Sequence, residues 1–230
     1  MFASPKYFPM GDRAVLVKFG DAIDLGINRK VHALCRAINE TKIYGTEECV
    51  PAYASLLVYY NPLKTSYERI VFQLKDLEPK LDEIGAKIEG RKIVVPTIYG
   101  EEFGPDLHSV AALHNITEEE VIHIHSETTY TVFMIGFIEG FPYMGKVPDT
   151  IAAPRLETPR LKIPTGSVGI AGNQTGIYPV ESPGGWRIIG RTPLRLFDAF
   201  AEQPTLFQPG GSVKFKPITV EEFKGLSKKA

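Results

Sequence analysis

The chain has 230 residues, 43% hydrophobic and 23% charged, with a formal net charge of −1 and 10% aromatic residues. This is globular composition, enough for one or two domains with a sizeable core, and it excludes disorder as the general state. No apolar run approaches the ~20 residues of a bilayer span, and the opening MFASPKYFPMGD lacks the basic and apolar regions of a secretory signal. Two cysteines, Cys35 and Cys49, make no disulfide framework, so a soluble cytoplasmic protein is expected.

Basic and acidic residues number 12 and 11 up to residue 88, then 14 and 16, so neither part is a bulk nucleic-acid footprint. Glycine and proline divide differently: 10 fall in the first 88 residues and 29 in the rest. Turn-rich, β-rich structure is therefore expected after a boundary near Gly85–Gly90, giving domains 1–88 and 89–230.

In the first domain, RAVLVKF (13–19) alternates as a strand. Leu25–Asn39 carries Ile27, Val31, Leu34, Cys35 and Ile38 at helical spacing. Lys42–Val50 and Tyr53–Tyr60 follow as strands. Ser66 caps a helix expected to run to about Ile84, and Arg91–Tyr99 is a last strand. The order βαββαβ predicts a ferredoxin-like α+β sandwich, with Cys35 as a buried small hydrophobe on the helix stripe.

Two short helices come next. Asp106 is expected to cap the first, Asn115 to end it, and Thr117 with Glu120 to form a capping box for a second reaching about His125. The helix–turn–helix spacing does not predict DNA binding, because Glu118, Glu119, Glu120 and Glu127 would face phosphates without basic compensation. His108, His114, His123 and His125 are close in sequence. On a helix, however, His123 and His125 point apart by about 200°, so no metal site is expected. The tail from Glu221 is expected to fray.

Three motif matches fail on context. Gly140–Lys146 (GFPYMGK) has the glycine and lysine spacing of a phosphate loop, but Val147 replaces the hydroxyl residue and Pro142 removes a backbone N–H. Gly166, Gly169 and Gly172 are not spaced as a dinucleotide fingerprint. Ser167 does not sit in a nucleophile elbow.

The informative stretch is Tyr130–Phe197, where glycines and prolines alternate too densely for helix and suggest a closed or nearly closed β-barrel. Arg155, Arg160 and Lys162 cluster in PRLETPRLK, and Arg187, Arg191 and Arg195 follow Trp186. Guanidinium forks on rigid loops suit carboxylate or phosphate, though each also serves as a solvated edge charge. Gln174, Thr175, Tyr178 and Thr192 add uncharged donors of the kind found in small-molecule sites, or in ordinary turns. Trp186 packs in the core or covers a pocket; the residues leave both open.

GFIEGFPYMG (136–145), the run from APRLETPRLK to RTPLRLFD (153–198) and YGEEFGPDL (99–107) resemble the family of 5-oxoprolinase B subunits, which includes a sporulation-kinase inhibitor. They are also similar to part of the carboxyltransferase region of urea amidolyase, known too as allophanate hydrolase subunit 1. The resemblance implies a ferredoxin-like domain followed by a cyclophilin-like β-barrel. It further implies companion subunits C and A, and cleavage of 5-oxo-L-proline to L-glutamate with ATP, with magnesium, not necessarily bound by this subunit. Glu139 stands where that family carries proline, so the ligand of its loop is left open. On this footing His125, Arg160 and Arg191 are the expected catalytic residues, His125 as proton shuttle unless it is a capping or core histidine, the reading its place at a helix end favours. Arg155, Lys162, Gln174, Tyr178 and Thr192 are expected to bind substrate, and Phe137, Phe141 and Tyr143 to bind a partner. The competing expectations are a protein-binding inhibitor of a histidine kinase, or a carboxyltransferase-like subunit acting on another amide.

Overall fold

A computed structural model describes residues 2–86 and 90–228. The chain forms two compact units, residues 1–89 and 90–230. The expected junction at 88/89 lies outside the described residues, as do Lys229 and Ala230 of the tail.

The first unit contains β1 (Lys6–Pro9), β2 (Ala14–Lys18), α1 (Leu25–Thr41), β3 (Thr46–Pro51), β4 (Ser55–Tyr60), α2 (Tyr67–Leu77) and α3 (Leu81–Ala86). Its sheet is antiparallel throughout, in the order β1-β2-β4-β3. Val15, Val17, Leu56 and Val58 form one buried cluster with Ile27, Val31 and Leu34 of α1 and Ile70 and Leu74 of α2. The local signals explain the ends: the Asp24 carboxylate accepts from the Ile27 N–H at 2.9 Å, and Lys42 closes α1 in the left-handed region at φ 49°.

Two corrections to the expected topology follow. The strand expected at Arg91–Tyr99 does not join this sheet; its place beside β2 is taken by β1, which comes first in the chain. The spatial order is that of a ferredoxin-like sandwich whose last strand is supplied from the N-terminal side. The helix expected from Ser66 to Ile84 is also interrupted: Pro79 has no N–H to continue the ladder, so Glu78–Lys80 is a 3-10 turn between α2 and α3.

The second unit is built on a closed barrel in the cyclic order β10-β7-β6-β13-β5-β12-β9. The strands are β5 (Lys92–Tyr99), β6 (Thr129–Ile135), β7 (Pro142–Gly145), β9 (Ser167–Ala171), β10 (Gln174–Ile177), β12 (Arg187–Arg191) and β13 (Ser212–Pro217). Only β5 and β13 pair in parallel. A ribbon of β8 (Arg160–Ile163) and β11 (Ser182–Gly184) stands outside the barrel. Helices α4 (Leu107–His114) and α5 (Glu118–Glu127) pack Leu107, Val110 and Val121 onto the barrel core of Val95, Tyr130, Ile170 and Phe215. The Thr117–Glu120 capping box and the left-handed Asn115 stop form as the residues indicate. As far as Lys228 the tail is ordered rather than frayed as expected: Thr219 and Glu222 make a second capping box that starts α6 (Val220–Ser227).

Candidate ligand pocket

The β6–β7 connection, Gly136–Phe141, is a tight turn in which the Gly136 N–H donates to the Phe141 carbonyl at 3.1 Å and the Phe141 N–H to the Ile138 carbonyl at 3.1 Å. The turn holds Phe137 at φ 69°, a conformation unusual for an aromatic residue, with the ring 60% exposed. Phe141 points inward. Its ring lies 4.8 Å from Tyr143, 5.1 Å from Tyr178, 5.4 Å from Trp186 and 5.8 Å from Phe137, the last three edge-on. These five rings line a pocket of about 240 Å³, completed by Arg155, Pro159, Pro183, Gly184 and Gly185.

Two glycines make the aromatic packing possible. A Cβ on Gly176 would stand 2.7 Å from the Phe141 ring, and one on Gly184 would stand 2.4 Å from the Tyr178 hydroxyl. The loop bearing Arg155 is pinned on both sides. The Leu156 N–H donates to the Gly185 carbonyl at 2.8 Å, and Arg187 Nε to the Pro154 carbonyl at 3.0 Å. Burial pushes the Tyr178 phenol up to about 12, and a hydrogen bond from the Trp186 backbone only partly offsets it. Tyr143 is raised too, by burial, against the favourable charge of Arg155. Both phenols therefore keep their protons near neutrality and stay uncharged beside a cation.

The structure thus joins residues expected to bind substrate, Arg155 and Tyr178, with Phe137, Phe141 and Tyr143, which were expected to bind a partner. Trp186 resolves in favour of both alternatives: nearly buried, it forms a pocket wall.

The other expected site residues lie elsewhere. Arg160 donates through both terminal nitrogens to the Asp106 carboxylate, each at 2.8 Å. Asp106 also accepts from the Ile188 N–H at 2.7 Å, so its side chain does not cap α4 as expected. Arg191 gives its Nε to the Thr165 carbonyl at 2.7 Å, and Lys162 pairs with Glu181 at 3.1 Å on the exposed ribbon. Thr192 is buried, its hydroxyl accepting from the Leu194 N–H. Gln174 opens β10 opposite Gly145.

His125 is the core histidine of the two alternatives, not a proton shuttle: it is fully enclosed in the barrel. Its Nδ1 meets the Tyr99 hydroxyl at 2.8 Å and its Nε2 the Thr175 hydroxyl at 3.1 Å, while Thr175 donates to the Gly169 carbonyl at 3.0 Å. Because the single Thr175 proton goes to Gly169, Nε2 carries the imidazole proton and Nδ1 accepts from Tyr99. Burial depresses the imidazole to about 3, so it is a neutral structural link among β5, α5, β10 and β9. The Asp106–Arg160 pair had no local signature in the sequence; the only available signal was two opposite charges far apart in the chain.

A family described as the carboxyltransferase domain, subdomain C and D, matches residues 5–207. The chain is similar to the 5-oxoprolinase B subunit of Bacillus subtilis (strain 168), with 43% identity over 226 residues, 93% of each protein. It is more distantly similar to the urea amidolyase of Lachancea kluyveri, at 26% identity over 95% of this chain and 14% of that protein. Among solved structures, a conserved uncharacterized protein from Pyrococcus horikoshii is 50% identical, with 95% of this chain and 100% of that chain covered and a TM-score of 0.57. The structure of TTHA0988 is 33% identical with a TM-score of 0.79; the match covers 90% of this chain but only 40% of that one.

Proposed function

The chain belongs to the carboxyltransferase-domain family of subdomains C and D, alongside the 5-oxoprolinase B subunits, and from that premise we propose that it is the B subunit of an ATP-dependent complex converting 5-oxo-L-proline to L-glutamate. The observation that carries this reading is the juxtaposition of Arg155 with the aromatic cage. Among the described residues, Arg160, Arg187, Arg191 and Arg195 each donate to a protein acceptor, whereas Arg155 lies at the pocket beside phenols with no carboxylate partner.

5-Oxoproline is a flat five-membered lactam bearing one carboxylate. The Arg155 fork receives the carboxylate, the rings of Phe141, Tyr143 and Trp186 cover the lactam faces, and a phenol O–H donates to the amide carbonyl. Ring opening breaks the amide C–N bond, with hydroxide from water going to the carbonyl carbon and a proton to nitrogen. This chain's contribution is to bind and orient the substrate. The Gly140–Lys146 segment does not fit a phosphate-binding loop: it runs into strand β7, paired on both sides, with Val147 following and no helix to present N–H groups. In this reading companion subunits A and C complete the site for the phosphoryl chemistry.

Trp186 is the only tryptophan, so its fluorescence reports directly on the pocket. Titration with 5-oxoproline is expected to give a saturable change that Arg155→Ala weakens about 10–100-fold, as for loss of a charge-assisted hydrogen bond. Co-expression with candidate companions is expected to give ATP-dependent glutamate that disappears when this chain is omitted. An assembled complex with Arg155→Ala and unchanged kcat/KM would remove the assignment.

The exposed Phe137 ring at the pocket mouth favours a second reading, in which this rim docks on another protein, such as a companion subunit or a histidine kinase. An assembled complex without turnover on 5-oxoproline shifts the balance to that reading or to a different amide.

A further inference from the structure

The two cysteines, unremarkable in sequence, meet in the first unit. Cys35 projects from α1 and Cys49 from β3, the edge strand of the sheet, and the two thiols are in side-chain hydrogen-bond contact. Both are free and half-buried, and both pack against the same hydrophobic cluster. The Asn39 amide nitrogen lies 4.0 Å from the Cys35 sulfur.

We propose that Cys35 and Cys49 are a thiol–disulfide exchange site that closes to an intramolecular disulfide, clamping edge strand β3 to α1, on exposure to a small-molecule disulfide such as oxidised glutathione. The chemistry is directional. The hydrogen bond from Cys49 lowers the Cys35 thiol, while the same contact, with burial, raises Cys49. Burial and the neighbouring Glu48 carboxylate raise Cys49 further, so Cys35 is the thiol that attacks first. Its sulfur attacks one sulfur of the disulfide reagent, whose S–S bond breaks and releases one thiolate, which takes a proton. Cys49 then loses its proton to solvent and attacks the Cys35 sulfur, expelling the second thiolate. The protein dithiol is oxidised by two electrons and the reagent is reduced to two thiols. No metal or further oxidant is needed.

The consequence is local. An edge strand exposes unpaired backbone groups and is the part of a sheet most free to separate. A crosslink closing the short loop between α1 and β3 restricts it directly.

The test uses the full-length reduced chain, equilibrated in reduced and oxidised glutathione mixtures and then treated with iodoacetamide. The expected product has lost two hydrogens in intact mass, takes up no alkyl group, and yields a single linked peptide pair after proteolysis. Its thermal midpoint is expected to rise by about 5–10 °C over the reduced form. Cys35→Ser and Cys49→Ser are expected to end as glutathione adducts with no such rise. Glutathione adducts on both cysteines of the unaltered chain, two alkylatable thiols at every ratio, or a disulfide-linked dimer would each overturn the proposal.

Discussion

The Asp106–Arg160 pair gives the sharpest test of how the pocket is held. The Asp106 carboxylate is 6% exposed and accepts three hydrogen bonds, two from Arg160 at 2.8 Å and one from the Ile188 N–H at 2.7 Å. Asp106→Ala strands the buried Ile188 N–H, which costs about 1–3 kcal/mol. It also leaves Arg160 unpaired, for which the fully buried figure of about 3–5 kcal/mol must be discounted, because its side chain is 33% exposed. The expected total is about 2–4 kcal/mol, a fall in midpoint of about 5–15 °C. Arg160→Ala should cost less, since Asp106 keeps the Ile188 bond. A double-mutant cycle of the two alanine variants, followed by circular dichroism during chemical unfolding, should give a coupling of about 2 kcal/mol. Asp106→Leu with Arg160→Met should recover part of the loss but not all, because no hydrophobic residue satisfies the Ile188 N–H. A coupling below about 0.5 kcal/mol, the range of solvent-exposed pairs, would refute the reasoning. In an assembled complex Arg160→Ala should raise KM with kcat nearly unchanged, because the pair positions the pocket wall and touches no reacting atom.

His125 predicts an acid-sensitive fold. With the imidazole depressed to about 3 in the folded state against an unfolded value near 6.5, the unfolded chain binds the extra proton between these limits. Stability is therefore expected to be flat above about pH 6.5 and to fall toward pH 3 by up to about 1.4 kcal/mol per pH unit, a slope that His125→Gln should flatten in unfolding measured across pH. Gly184→Ala should drive its methyl into Tyr178 and Ile163, costing about 1–3 kcal/mol in stability and abolishing the Trp186 fluorescence response to 5-oxoproline.

What the sequence disclosed follows from the range of the forces involved. Caps, turns and periodicity act over a few residues, so α1, the Thr117 capping box and the dense Gly/Pro barrel region were legible. Strand pairing is a long-range choice. The alternation in KIVVPTIY announces a strand without saying that it pairs β12 and β13 rather than β2. The short KYFP strand is mostly exposed and carries no buried alternation to announce it, so the substitution of β1 for the expected last strand left no local trace. Asp106 shows the same limit within one residue. It does precede α4, where its residue type suits a cap, yet its carboxylate is drawn away by a guanidinium 54 positions later.

The site was half legible for a related reason. Residue type marks which side chains are able to bind an anion; partners decide which are available to do so. Arg155, Arg160 and Arg191 are equivalent candidates in composition and in their Pro/Gly surroundings. Folding gives Arg160 an internal carboxylate and Arg191 a backbone carbonyl, and an external anion competing for either would have to break a short hydrogen bond already made. Arg155 faces a cage of rings whose phenols stay protonated and neutral, so no negative charge among the pocket's lining residues satisfies it. A carboxylate entering that pocket meets a cation without displacing a protein acceptor, while its apolar body displaces water from aromatic walls. The same cage, lacking a second basic side chain among its lining residues, matches a single carboxylate better than a polyphosphate. Under the proposed function, this pocket is accordingly expected to capture the substrate carboxylate rather than the nucleotide phosphates.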